Sequence, residues 1–187
     1  MQKQDTIETE RLILRRWKES DLQDLNEYGS QPFVALRTSF DPHKSLEDSR
    51  QILDRFIPDD TKWAIELKDG GKVVGGMVLR ITDKNREDKI QRERKIGFVL
   101  NEKYHGRGYA TEATKAMLAY AFNVLKLFLV RITHCEANQQ SRRVIEKCGF
   151  HFDGVKRFHD VWKYDGILHH YLDYSLTVDE WKEFTKQ

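Results

Sequence analysis

Cysteine is scarce in this chain: Cys135 and Cys148 are its only two. Their spacing fits no zinc motif and builds no disulfide framework, so both are expected as small buried thiols in a reducing compartment. Proline is equally sparse. Pro32, Pro42 and Pro58 all lie in the first third, which leaves no proline-rich linker and no low-complexity segment. No apolar run approaches the ~18 residues that a membrane span needs. The opening MQKQDTIETER holds no apolar signal region, so the expected location is the cytoplasm. Charge of one sign is lacking too. A formal net charge of +2 carries no general nucleic-acid footprint.

What is present is a globular composition with a heavily charged surface, 39% hydrophobic and 33% charged. The 187 residues suit one α/β domain, and residues 1–187 are read as a single unit.

Patterning gives the order of elements. Leu12 and Leu14 alternate with long or polar neighbours, as in a strand. Ser20 and Gln23 form a capping-box pattern for a helix that Gly29 would end. A second helix is expected from Ser45, with Leu46, Ser49, Leu53 and Phe56 on one face and Pro58 as its stop. Trp63, Ile65 and Leu67 alternate ahead of the Asp69-Gly70-Gly71 turn, and Val73 to Ile81 returns as a hairpin. Gly75-Gly76 within that strand marks a bulge or a close contact. Thr82 to Arg94 is a charged, solvated loop or extended hairpin tip, and Arg94 to Leu100 the next strand. Helices follow at Gly108–Val124 and Asn138–Cys148, with a strand, Leu127–Glu136, between them. Strands Phe150–Lys156 and His169–Leu176 close the sheet. Thr177 and Glu180 cap a last short helix. The sum is an α/β (α+β mixed) class: a mixed, twisted sheet of about six to seven strands with helices on both faces.

The segment that carries chemistry is Ile96-Gly-Phe-Val-Leu-Asn-Glu-Lys-Tyr-His-Gly-Arg-Gly-Tyr-Ala-Thr-Glu-Ala113. A strand enters a loop with two glycines, and the loop enters a helix. The first amides of a helix lack intrahelical acceptors, and the dipole adds positive potential there. Gly106 and Gly108 let the backbone approach a diphosphate, and Arg107 adds a charge. The dinucleotide fingerprint fails because Thr111 stands where its third glycine belongs. The nucleotide P-loop fails for want of Gly-Lys-Ser/Thr.

Four segments resemble the GNAT superfamily of N-acetyltransferases, and within it the ribosomal-protein N-terminal acetyltransferase-like branch. They are Thr9-Glu-Arg-Leu-Ile-Leu-Arg15 with Asp21; Ile96-Gly-Phe-Val-Leu100; His105-Gly-Arg-Gly-Tyr-Ala-Thr-Glu-Ala113; and Asn138-x-x-Ser141 with Val144-Ile-Glu-Lys-Cys-Gly-Phe150. They stand in the family's order and span residues 9–176.

The resemblance implies a GNAT fold in which strands 4 and 5, here Arg94–Leu100 and Leu127–Glu136, splay apart. It implies acetyl-CoA as cosubstrate and no metal. Pantetheine would pair with the main chain of Phe98, Val99 and Leu100. The pyrophosphate would rest on Gly106, Arg107, Gly108, Tyr109 and Ala110, with His105 and Thr111 flanking. Asn138 would bond the cofactor arm or steady the strand end, and is equally an N-cap for the following helix; Ser141 would lie near the thioester sulfur or support that cap. An acceptor amine would attack directly in a ternary complex, and the acetyl carbonyl would take a backbone hydrogen bond from the fourth strand.

The sequence also departs from the family. Ile145 stands where many members have the tyrosine that protonates the leaving thiolate, which leaves Ser141, Tyr104 or water for that task. Lys95 stands where relatives often have a glutamate, so Glu93 and Glu136 are the candidate bases, alongside solvent. His105 is otherwise an exposed loop residue, and Lys103 replaces a common Gln or Arg. His134, His151, His169 and His170 lack metal-ligand spacing.

The acceptor is expected to be a protein N-terminus, as on a ribosomal protein, or a small-molecule amine. Its groove would run along Asp24 to Phe40 and Phe158 to His170. Phe33, Phe158, Trp162 and Tyr164 would supply aromatic lining, and Asp160 and Asp165 would attract a cation. The expected assembly is a monomer or homodimer without membrane or direct nucleic-acid contact. The competing readings are a noncatalytic acyl-CoA sensor on the same fold and an RNA-associated protein using the Lys84–Lys95 loop, whose mixed charges argue against a basic field.

Overall fold

The structure is a computed structural model that describes residues 6–35, 41–81, 92–161 and 167–186. The expected charged loop therefore falls largely outside the described residues, as do Phe40, Trp162, Tyr164 and Asp165.

Among the described residues, eight strands form one sheet. They are β1 (Thr6–Glu8), β2 (Leu12–Arg15), β3 (Lys62–Leu67), β4 (Val73–Arg80), β5 (Glu93–Leu100), β6 (Leu129–Cys135), β7 (His151–Val161) and β8 (Leu168–Thr177). The spatial order is β1-β2-β3-β4-β5-β6-β8-β7. That is one strand more than expected. β1 has three residues and exists through its ladder to β2, with Ile7 opposite Leu14, a tertiary pairing that no local period announces.

Every neighbouring pair is antiparallel except β5–β6. A parallel pair needs a long crossover, supplied by α4 (Tyr109–Ala119). α4 runs on into a turn of π-helix, Tyr120–Val124, closed by Leu125 N–H donating to the Tyr120 carbonyl at 3.1 Å. The β5–β6 pairing holds only from Glu93–Leu129 to Lys95–Arg131. Beyond it β5 reaches Leu100 and β6 reaches Cys135 without pairing, so the two strands open like a V.

Alternation along β3 sorts the sheet's two faces. Trp63 and Ile65 join a core with Met117 and Leu118 of α4 and Ile145 of α5 (Gln139–Lys147). Ala64 joins a second core. There it meets Leu25 and Tyr28 of α1 (Leu22–Gly29), Val34 of α2 (Pro32–Ala35) and Leu53 of α3 (Leu46–Phe56). A final helix, α6 (Val178–Phe184), starts from the expected box: Glu180 N–H donates to Thr177 Oγ1 at 3.3 Å, and Thr177 N–H to Glu180 Oε2 at 2.8 Å.

The expected Ser20–Gln23 box is not formed. Glu19–Asp21 is a 3-10 turn, and Asp21 takes the capping role by accepting from Lys18 N–H at 2.8 Å. Its carboxylate is also gripped bidentately by Arg15, both bonds at 2.8 Å. A buried charge pair of this kind outweighs a serine cap.

Candidate active site

The site begins where β5 ends. Asn101 is fully buried, accepts from Lys103 N–H at 3.1 Å and donates to Glu27 Oε1 at 3.1 Å. This anchors the 3-10 turn Glu102–Tyr104. Gly106 and Gly108 follow with φ of 76° and 84°, a left-handed backbone that glycine enters without a Cβ clash. Gly108 is the N-cap of α4. Among the described residues, the backbone N–H groups of Gly106 through Thr111 have no acceptor within the protein. Glu112 N–H is the first to bond, to the Gly108 carbonyl at 3.0 Å.

The loop is held from behind. Glu112 accepts from Thr9 Oγ1 at 2.6 Å, from Arg11 N–H at 2.9 Å and from Arg11 Nε at 2.7 Å. Burial alone would raise this carboxyl, and the bonds from Thr9 and Arg11 outweigh it and hold it below its ordinary value. Arg11 also donates to the Arg107 carbonyl at 3.0 Å and lies 4.6 Å from the centre of the Tyr109 ring. Thus the Thr9–Arg11 turn and the glycine loop, far apart in sequence, lock each other.

In front of the loop lies a cavity of about 390 Å³. Phe98, Val99, Leu100, Tyr104, His105, Gly106, Gly108, Tyr109, Ala110, Thr111, Asn138 and Ser141 all line it. Arg107 does not, although its side chain sits 5.2 Å from the Tyr104 ring. His105 is half-buried rather than exposed, with Nε2 3.1 Å from the Leu100 carbonyl. Sequence reasoning missed Arg143, Val144 and Lys147, which line the same cavity from α5. Their spacing of one, three and four residues marks a single helix face and was available as a signal.

A second cavity of about 480 Å³ shares Phe98, Val99, Asn138 and Ser141 with the first. Phe98 and Val99 lie on β5 past its last pair with β6, and Asn138 and Ser141 follow the end of β6. The close approach of β4 to β5 shapes this junction: a Cβ on Gly75 would sit 2.2 Å from the Val99 carbonyl. The expected glycine contact is thus real, and a bulge adjoins it, since Ile65 faces Gly75 while Glu66 faces Val73.

Asn138 Oδ1 accepts from Ser141 N–H at 3.0 Å and caps α5. Ile145 is fully buried and lines the second cavity. Glu93 lines neither cavity and accepts from Arg131 Nε at 2.8 Å. Glu136 is exposed, lines neither cavity and accepts from His170 N–H at 3.3 Å. His134, read only as a poor metal ligand, lines the second cavity instead. Its Nδ1 is 2.7 Å from the Cys135 carbonyl and its Nε2 3.4 Å from Tyr174 Oη. Burial pushes it below the ordinary histidine value, towards the neutral form.

Of the expected acceptor lining, Phe33 packs 5.6 Å from the His105 ring and Phe158 packs 4.4 Å from the His170 ring. Among the described residues, no group of three or more His, Cys, Asp or Glu is arranged to hold a metal ion. No helix there is long and apolar enough to cross a membrane.

The family model described as Acetyltransferase (GNAT) domain matches residues 11–151. The chain is 30% identical over 129 residues to YdaF of Bacillus subtilis (strain 168), which carries the name of a ribosomal N-acetyltransferase; the match covers 68% of this chain and 69% of YdaF. It is 21% identical over 141 residues to the spermidine N(1)-acetyltransferase of Escherichia coli (strain K12), covering 75% and 73% of the two chains. Among solved structures it resembles a GNAT-family acetyltransferase from Bacillus anthracis, with a TM-score of 0.83 and 25% identity over 93% of this chain and 99% of that one.

Proposed function

The chain belongs to the GNAT acetyltransferase family and transfers an acetyl group from acetyl-CoA to an amine; on that premise we propose how its two joined cavities divide the work. The first cavity takes the cosubstrate and the second the acceptor. One observation carries this reading: six consecutive unbonded amides, Gly106 to Thr111, stand at the mouth of a helix beside a cavity that shares Phe98, Val99, Asn138 and Ser141 with a second.

The residues suit a diphosphate. Free helix-terminal amides and the α4 dipole attract an anion, and Arg143 and Lys147 add positive charge at the cavity wall. Phe98 to Leu100, past the last β5–β6 pair, present a strand edge for an extended amide chain. Bound acetyl-CoA supplies a thioester whose C–S bond breaks as the new C–N bond forms. A backbone N–H of β5 steadies the developing negative charge on the acetyl oxygen. Ser141, at the junction, returns a proton to the sulfur directly or through water. The amine's proton leaves by water in the open second cavity, because Glu93 is tied to Arg131 and Glu136 lies outside. The enzyme's main contribution is positioning.

The acceptor is a primary amine, of a protein N-terminus or a small molecule; the name carried by YdaF supports the former. Residues 1–187 work as one domain in the cytoplasm, as a monomer or homodimer, with no step routed through a metal. The test is an acetyl-CoA titration followed by thiol release over a panel of amines and N-terminal peptides. Saturable binding with turnover on at least one amine supports the reading. Binding without any turnover identifies a sensor, and no binding ends the proposal.

A further inference from the structure

Among the described residues, the second cavity has an unbalanced charge. Arg80 of β4 and Lys95 of β5 are direct Cα partners in the antiparallel ladder, and both line the cavity, with Lys62 and Lys156 beside them. Like charges placed opposite each other in a sheet destabilise it. Among the described residues, Lys62, Arg80 and Lys95 have no carboxylate within ion-pair distance, whereas Lys156 pairs with Asp173 at 3.0 Å. The nearby acids are already committed. Asp173 serves Lys156 and Thr133, Glu93 serves Arg131, and Asp59 accepts from Thr61. Burial first, then Lys156 and Arg80, lowers the Lys95 ammonium from its ordinary value, with Asp173 opposing. Burial first, then Arg80, lowers that of Lys62, with Asp59 opposing. Lys62 and Lys95 therefore both feel Arg80, and Lys95 feels Lys156 as well. Aromatic rings of Trp17, Tyr28, Phe56 and Tyr171 wall the same space, while Arg80 and Lys156 are exposed and Lys62 and Lys95 half-buried.

Like charges gathered around one cavity give it a positive field that favours an anionic guest. We propose that the second cavity takes a primary amine that carries an anion a few bonds away, an amino acid or the acidic first residues of a peptide, with its carboxylate against Arg80 and Lys95 and its amine at Ser141. This deepens the two-cavity reading and rests on it. The same field has a second effect. Positive charges disfavour the ammonium form of a nearby amine, so the cluster raises the fraction of neutral, nucleophilic acceptor where Glu93 and Glu136 do not reach. Lys95, the replacement for the family's frequent glutamate, is then a specificity residue. A polyamine, cationic along its whole length, is repelled.

The test uses the full chain with saturating acetyl-CoA. Thiol release is compared for alanine against ethylamine, for a Ser-Glu-Asp peptide amide against a Ser-Lys-Lys peptide amide, and for spermidine. The anionic member of each pair is expected to show at least a tenfold higher kcat/KM, about one charge-assisted hydrogen bond's worth. Which pair turns over faster separates a free amino acid from a peptide terminus. Lys95→Glu is expected to invert the preference and to leave KM for acetyl-CoA unchanged. Lys95→Met is expected to raise KM for the anionic acceptor while raising the melting temperature, by removing the Arg80 repulsion. Binding of the N-acetylated peptides to the enzyme·CoA complex by calorimetry reads the same preference without turnover. Equal or tighter binding of the basic product, or faster turnover of spermidine, overturns the anionic acceptor and leaves the acetyltransferase intact; loss of acetyl-CoA binding would instead strike the two-cavity reading.

Discussion

Arg11 and Glu112 are separated by 101 residues and meet in an ion pair of 2.6 Å. The contact joins the β1–β2 turn to the first turn of α4. It also neutralises a carboxylate that would otherwise sit near an incoming diphosphate. Glu112 thus favours the helix N-terminus without opposing the anion that the loop is shaped to hold.

Glu112→Gln is expected to keep the Thr9 contact and lose the ion pair. The loop's rear support then loosens. KM for acetyl-CoA should rise about three- to tenfold, as one charge-assisted bond is lost at a partly exposed site, while kcat at saturation stays within about twofold. An unchanged KM would show that the loop holds its shape without the clamp.

Gly108→Ala tests the backbone itself. At φ 84° an alanine costs ~1–2 kcal/mol. The new Cβ would also sit 3.4 Å from Arg11 Nη2. The expected result is a melting temperature lower by about 3–6 °C and weaker acetyl-CoA binding by isothermal titration. Gly106→Ala, whose Cβ would meet open space, isolates the conformational part. If both variants bind acetyl-CoA as tightly as wild type, the amides of this loop do not carry the cofactor.

The stability profile below neutral pH follows from one buried ring, His134, and one half-buried ring, His43. Burial lowers both His43 and His134 from their ordinary value of 6.5. In the unfolded chain each takes up a proton first as pH falls, so unfolding gains protons and stability drops. The profile should be flat above about pH 6.5 and decline below it. A second decline belongs to carboxylates held low in the fold. Glu27 is lowered to about 2 by Lys72, Lys103 and Asn101, so its contribution is complete above the ordinary 4.5 and fades as pH falls towards 2. Urea midpoints for His43→Asn and His134→Gln should show a shallower decline below about pH 6.5 than wild type. Parallel profiles would mean that these rings titrate alike in both states.

The helices and most strands were legible because their apolar residues recur at regular spacing, and Gly106-x-Gly108 was legible because left-handed backbone demands glycine. β1 was not, being too short to show a period. The opening of the V was not derivable from residues either. It is a matter of where pairing stops, at Lys95 and Arg131, and entered only through the family resemblance. The cation cluster was hidden for a different reason. Lys62, Arg80, Lys95 and Lys156 come from four strands, and only the sheet order gathers them. Local chemistry also overrode local pattern at Asp21, where a buried arginine displaced Ser20 from the capping role.

Asn138 and Ser141 lie in the shared wall of the two cavities and serve different ends. The Asn138 side chain holds the first turn of α5 through Ser141 N–H, so Asn138→Ala should cost ~1 kcal/mol of stability, and Asn138→Asp should restore it. Ser141→Ala leaves that backbone bond intact, since only its N–H is used. Stability should therefore stay within ~0.5 kcal/mol, and KM for acetyl-CoA should be unchanged. If the hydroxyl delivers the proton to sulfur, kcat should fall about tenfold or more, as for loss of a general acid, and an acetyl thioester with a more acidic thiol should recover most of the loss. Recovery is the decisive reading, because a leaving group that needs no proton is indifferent to its donor. A variant that stays slow with such a thioester would show that Ser141 positions the substrate, and water would then supply the proton.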